Sequence, residues 1–210
     1  AVAKVLELNP NHIEALSLAA ALAVRGGDVE LAKTYSDRVA AIDSRCETLP
    51  LAIAEWLSAG RQFDEAHGYY QEAVLMAPAS ASAWTGLGEL YMQVGREADA
   101  KEAFEKAHEI DDFRADIVNY LGLLDDMELY DVYETEHFIV KVDGDYDAVL
   151  LELVAAEAER IYSDVCTDFG HEPEVKTIIE IFPDHMDFSV RLTGRGWLGT
   201  VGACTGNVIV

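Results

Sequence analysis

Over the first 125 residues, apolar side chains recur at three- and four-residue intervals, the spacing of one buried face on a helix. The pattern is interrupted at Gly26-Gly27, Gly60 and Gly95. Glycine suits a turn between helices because left-handed backbone costs it little. Ala1 to Leu8 already reads as an amphipathic helix, without the basic start or cleavage site of a signal peptide. After Met127 the period changes. Residues 136–142 alternate as a strand does, and Asp143-Gly144-Asp145 reads as a turn. Residues 146–168 return to helical spacing, with Leu150, Val154, Ala158, Ile161 and Val165 on one face. Gly170 ends that helix and Pro173 keeps the chain extended. Thr177 to Phe182 predicts a second strand, and Asp184 predicts the N-cap of a short helix near 185–192. The glycine-rich stretch from Trp197 to Val210 predicts a hairpin or two edge strands.

The helical half is also periodic at a longer scale. Trp84-x-x-Leu87-Gly88-x-x-Tyr91, followed by Ala100-x-x-x-Phe104-x-x-Ala107, resembles the tetratricopeptide signature, with Asp112 where proline is usual. One repeat upstream, Ala66, Tyr70, Ala73 and Pro78 fill the corresponding slots, and a further repeat upstream Ala32 does so. Repeats then start near Ile13, Glu47 and Ala81, and a fourth opens near Ala115 with Leu121-Gly122. Small residues at Gly88, Gly122, Ala32, Ala66 and Ala100 allow close helix approach, and Trp84, Tyr91, Tyr70 and Phe104 fill the gaps between pairs. The expected fold has two parts. An all-α right-handed tetratricopeptide solenoid over 1–126 contains a partial repeat, three full repeats and one capping helix. A small α+β domain over 127–210 follows in strand–helix–strand–helix–hairpin order. The signature is eroded in places: Leu16 stands in the first repeat's large-residue slot, and Pro50 in the second's.

The resemblance implies a ligand groove along the first helices of the pairs. Its expected lining is Glu14, Leu51, Glu55, Thr85, Glu89, Met92, Asp116 and Asn119. Members that bind chaperone C-termini hold the terminal carboxylate with basic residues, and no Lys or Arg occupies these positions here. The expected partner is therefore a protein or peptide, basic or neutral rather than acidic.

The order of elements after residue 127, together with the stretch Gly206-Asn-Val-Ile-Val, resembles the N-terminal lobe of peptidase MA-like (gluzincin) domains. In that family a following helix carries His-Glu-x-x-His, which binds zinc and activates water. These 210 residues contain no such motif, so no catalytic or metal residue and no cofactor is expected in this chain. Two functions remain in view. One is a protein-interaction module with an acidic groove, fused to a non-catalytic lobe. The alternative is a substrate-presenting fragment of a zinc metallopeptidase whose catalytic half lies beyond residue 210.

Charge narrows the partners further. Fifteen basic and 39 acidic residues give a net charge of −24, spread along the chain. Such a surface repels phosphate backbones and anionic lipid, which argues against nucleic acid and membrane surfaces. No run of eighteen apolar residues is present to span a bilayer. Cys46, Cys166 and Cys204 are scattered and form no Cys-x-x-Cys pair. Gly199, Gly202 and Gly206 lack the Gly-Lys-Ser/Thr of a phosphate loop. Asp184, His185 and Asp187 offer metal-ligating atoms, but a helix cap and a surface histidine account for them. Nothing in the sequence sets the compartment.

Overall fold

The computed structural model describes residues 2–197 and 199–210, with backbone alone at 146–148. Eight helices come first: α1 (Val2–Leu8), α2 (Ile13–Arg25), α3 (Val29–Ile42), α4 (Thr48–Ala59), α5 (Phe63–Met76), α6 (Ala81–Gln93), α7 (Glu97–Ile110) and α8 (Ala115–Met127). They are followed by β1 (Asp131–Glu134), β2 (Phe138–Val142), α9 (Gly144–Phe169), β3 (Thr177–Ile181), α10 (His185–Thr193), β4 (Cys204–Thr205) and β5 (Val208–Ile209). The chain forms two compact units, residues 1–90 with 102–112, and residues 91–101 with 113–210.

In the first unit, α2 packs on α3 and α4, and α4 on α5. Alanines at the crossings (Ala20, Ala54, Ala66 and Ala73) are wholly buried and let the helix backbones approach. Leu16, Val39 and Cys46 form a buried cluster, with Leu6, Ile13, Tyr35 and Leu49 against it. A Cβ at Gly88 would stand 2.7 Å from the Phe104 ring, and one at Gly86 would stand 2.4 Å from Tyr70. Both glycines are therefore close-approach positions. His12 and Asp28 cap α2 and α3, accepting from the amides of Ala15 and Leu31. Left-handed backbone occurs at Gly27 and Gly95 as expected, but in the turn after α4 it falls on Arg61 (φ 61°), with Gly60 at φ −87°. Trp84 is half-buried, and its indole N–H donates to the Pro78 carbonyl at 3.0 Å.

The second unit is built on a mixed sheet of order β1-β2-β3-β5-β4. Strands β2, β3 and β5 run parallel, and β1 and β4 are antiparallel edges. Alternation sends Val140 and Val142 of β2 to one face, where they meet Leu151 and Ala155 of α9, with Ile179 and Ile181 of β3 beside them. The buried side of α9 thus runs through Leu151, Ala155 and Ala158, about one position away from the expected stripe. Ile161 and Val165 are 40% and 44% exposed. Length explains this. A 26-residue helix extends about 39 Å, whereas a five-residue strand extends about 17 Å. Asp143 caps α9 rather than opening a separate turn, and Gly170 ends it in left-handed conformation. The opposite sheet face carries Ile178 and Glu180. There a Cβ on Gly95 would meet Ile178 at 2.3 Å, so the loop at residue 95 lies directly on the sheet.

Candidate functional site

The groove residues in the first unit lie on α2, α4 and α6. Glu14 is exposed, its carboxylate 3.0 Å from Nδ1 of His12. Leu51 and Glu89 are half-buried and Glu55 is exposed. Thr85 is only 3% exposed, and its hydroxyl donates to the Ala81 carbonyl at 2.8 Å, so it packs within its own helix turn. Glu55 and Glu89 come together around Tyr70, which reaches from α5 toward Gly86. Burial first, then the charges of Glu55 and Glu89, hold the Tyr70 hydroxyl above the usual phenol range. Desolvation also pushes the Glu55 carboxyl up.

The remaining three groove residues belong to the second unit and are engaged there by α10. The Met92 side chain is 2% exposed, and its carbonyl accepts from Nη2 of Arg191 at 2.8 Å. The Asn119 amide donates to the Gly194 carbonyl at 2.9 Å. Asp116 is held by Arg114 (Nε to Oδ1 3.1 Å, Nη2 to Oδ2 2.5 Å), which keeps its carboxyl below the usual range. A Cβ on Gly194 would meet Asp116 at 3.1 Å and the Tyr120 ring at 2.6 Å. Leu123 and Met127 of α8 pack with Val190 of α10. The side of α8 expected to face a ligand is therefore covered by the chain's own α10. Sequence reading missed this because α10, with Phe188, Ser189, Val190 and Arg191 all buried, has no single apolar face to assign.

Arg191 is the unforeseen centre of the second unit. Its guanidinium donates to both carboxylate oxygens of Glu180 at 2.6 and 3.1 Å, with both side chains at most 1% exposed. Burial pushes the Glu180 carboxyl up and Arg191 pulls against it. Lys141, beside Glu180 in the register, pairs with Glu97. Near the carboxyl ends of β3 and β5 lies a cavity of about 440 Å³ lined by Ile181, Phe182, Asp184, His185, Phe188 and Val210. Two of its polar side chains are engaged. Asp184 accepts from the amides of Met186 and Asp187, and Nε2 of His185 is 2.8 Å from the Thr200 carbonyl. Among the described residues no group of three or more His, Cys, Asp or Glu is placed to hold a metal. None of the described helices is long and apolar enough to cross a membrane.

Residues 57–120 match the family model for the tetratricopeptide repeat. No curated protein matches the chain. Among solved structures it is similar to MamA, at 22% identity over 59% of this chain and 72% of that one, with a TM-score of 0.44. It is similar to pilF of Pseudomonas aeruginosa at 23% identity over 59% of this chain and 56% of that one, TM-score 0.44. The second TPR domain of human RPAP3, solved in complex with the HSP70 peptide SGPTIEEVD, is 21% identical over 55% of this chain and 98% of that one, TM-score 0.42. With its 34-residue register and its close-packed helix pairs, the helical part of this chain is a tetratricopeptide-type array followed by a small strand-and-helix domain. Arrays of this kind offer extended surfaces for protein–protein contact.

Proposed function

We propose that residues 1–126 act as a protein-interaction module whose first helices take a basic or neutral peptide, and that residues 127–210 are a non-catalytic lobe. The observation that carries this reading is the convergence of Glu55 and Glu89 on Tyr70. A Lys or Arg of the partner would pair with those carboxylates, and exposed Glu14 would extend the acidic track along α2. Leu51 supplies apolar contact beside the charges, as extended and helical peptide ligands commonly need. Thr85 shapes the surface from beneath, and Met92, Asp116 and Asn119 serve the contact with α10. Peptide arrays probed with the purified chain test the proposal. Basic or neutral sequences should be retained, and selection of acidic C-terminal peptides would overturn it.

The order of elements over 138–209 keeps the peptidase-related reading as an alternative, in which the array would present substrates to a zinc centre elsewhere in a parent protein. The chain itself should then show no chelator-sensitive cleavage of peptides, and cleavage by the purified 210 residues would contradict both readings.

A further inference from the structure

The erosion of the tetratricopeptide signature has a physical result between the first and second helix pairs. In this repeat the large side chains stand at the fourth and twenty-fourth slots. Tyr70, late in one repeat, and Trp84, early in the next, hold these slots around the junction of the second and third pairs. One repeat upstream the same two slots hold Ser36 and Pro50. Both residues line a single cavity of about 380 Å³ in the first unit, together with Ala32 of α3, Leu49 and Ile53 of α4 and Tyr69 of α5. Pro50 is accepted in the first turn of α4 because a proline there forfeits no hydrogen bond of the helix interior. Its compact ring is buried and lines the cavity, where the equivalent position one repeat later carries an indole.

We infer that this cavity is a binding site for an aromatic side chain of a partner protein, separate from the acidic surface around Tyr70. Walls of Leu49, Ile53 and Tyr69 give a ring apolar and aromatic contact. Apolar cavities of about 150 Å³ already hold a benzene ring, and this one is large enough for a bicyclic ring. The half-buried Ser36 hydroxyl gives an indole N–H an acceptor, and Glu72 at the rim gives a second. Lys33, also at the rim, is turned to Asp37 at 2.5 Å and leaves the mouth without an unpaired cation. The occupant follows from the repeat itself, which supplies its own aromatic residues to the equivalent slots one pair further on.

Indole titrated into the full chain, followed by methyl NMR and thermal melting, tests the site. Saturable shifts should centre on the methyls of Val24, Val29, Leu49 and Ile53, and Tm should rise with indole concentration. N-acetyltryptophanamide should bind about tenfold more tightly than N-acetylleucinamide. Pro50→Trp, and separately Ser36→Tyr, should each weaken indole by about tenfold or more, because the new ring occupies the cavity. The two variants guard against one failing to fold. Absence of saturable shifts in the unaltered chain would overturn the assignment, as would equal binding of the two amides. So would wild-type indole affinity in either folded variant.

Discussion

Gly88 and Gly122 occupy the same slot in successive repeats, yet their surroundings are opposite. A Cβ at Gly88 would strike the Phe104 ring at 2.7 Å, while one at Gly122 would meet nothing within 4 Å. Gly88→Ala should therefore destabilise the first unit by about 1–3 kcal/mol through overpacking. Gly122→Ala should be stabilising by up to about 1 kcal/mol, because a helical glycine is replaced without a clash. Chemical denaturation of the two variants checks both signs. The 34-residue register made the close approach at Gly88 legible but assigned the same role to Gly122, where α8 is followed by a strand rather than by a second helix. What the register could not convey is the finer adjustment. The left-handed residue after α4 is Arg61 rather than Gly60, because the left-handed slot recurs every 34 residues, at 27, 61 and 95, and Gly60 stands one position before it. Trp84, expected inside, is half-buried with its N–H on Pro78, so the signature tryptophan stands at a margin of the core.

Helices and strands announced themselves where their faces differ in polarity, and were missed or misplaced where they do not. The strand β1 escaped because all four of its residues are exposed and show no alternation. The burial of α10 escaped because it includes Arg191, a charge that Glu180 and the Met92 carbonyl make tolerable inside. Removing one member leaves a buried, uncompensated charge, so Arg191→Leu should cost about 3–5 kcal/mol. The double change Glu180→Leu/Arg191→Leu should recover much of that loss in a double-mutant cycle, which equal damage in both variants would contradict. A second tie joins the end of β1 to α9. Hydrogen bonds from Thr135 and then His137 hold the Glu159 carboxyl at about 2, against an ordinary 4.5. His137 also stacks on Tyr162, with ring centroids 3.7 Å apart. Because the folded value lies below the unfolded one, this stabilisation is fully present above about pH 4.5 and is lost as pH falls through about 2. Glu159→Gln should accordingly lower stability at pH 7, and the gap from the unaltered chain should close toward pH 2 in denaturation measured across that range.

At the scale of the whole molecule, sequence conveyed the class of each part and the sign of the surface, because repeat period and charge are additive along a chain. It did not convey which groove positions remain available. That depends on where a distant helix comes to rest: α10 covers the ligand-facing side of α8, while Glu14, Leu51, Glu55 and Glu89 stay at the surface of the first unit. An excess of 39 acidic over 15 basic residues would attract any cation weakly, so general attraction has to be separated from a site. The variant Glu55→Lys/Glu89→Lys does this, since it alters the total charge modestly while reversing the pair beside Tyr70. The direct measurement is the affinity of an array-selected basic peptide for the unaltered chain and for this variant, between low salt and about 0.15 M, where the Debye length is about 8 Å. Binding should weaken as salt rises in the unaltered chain and should fall by about tenfold or more in the folded variant. Unchanged affinity on reversing both glutamates would contradict the central claim.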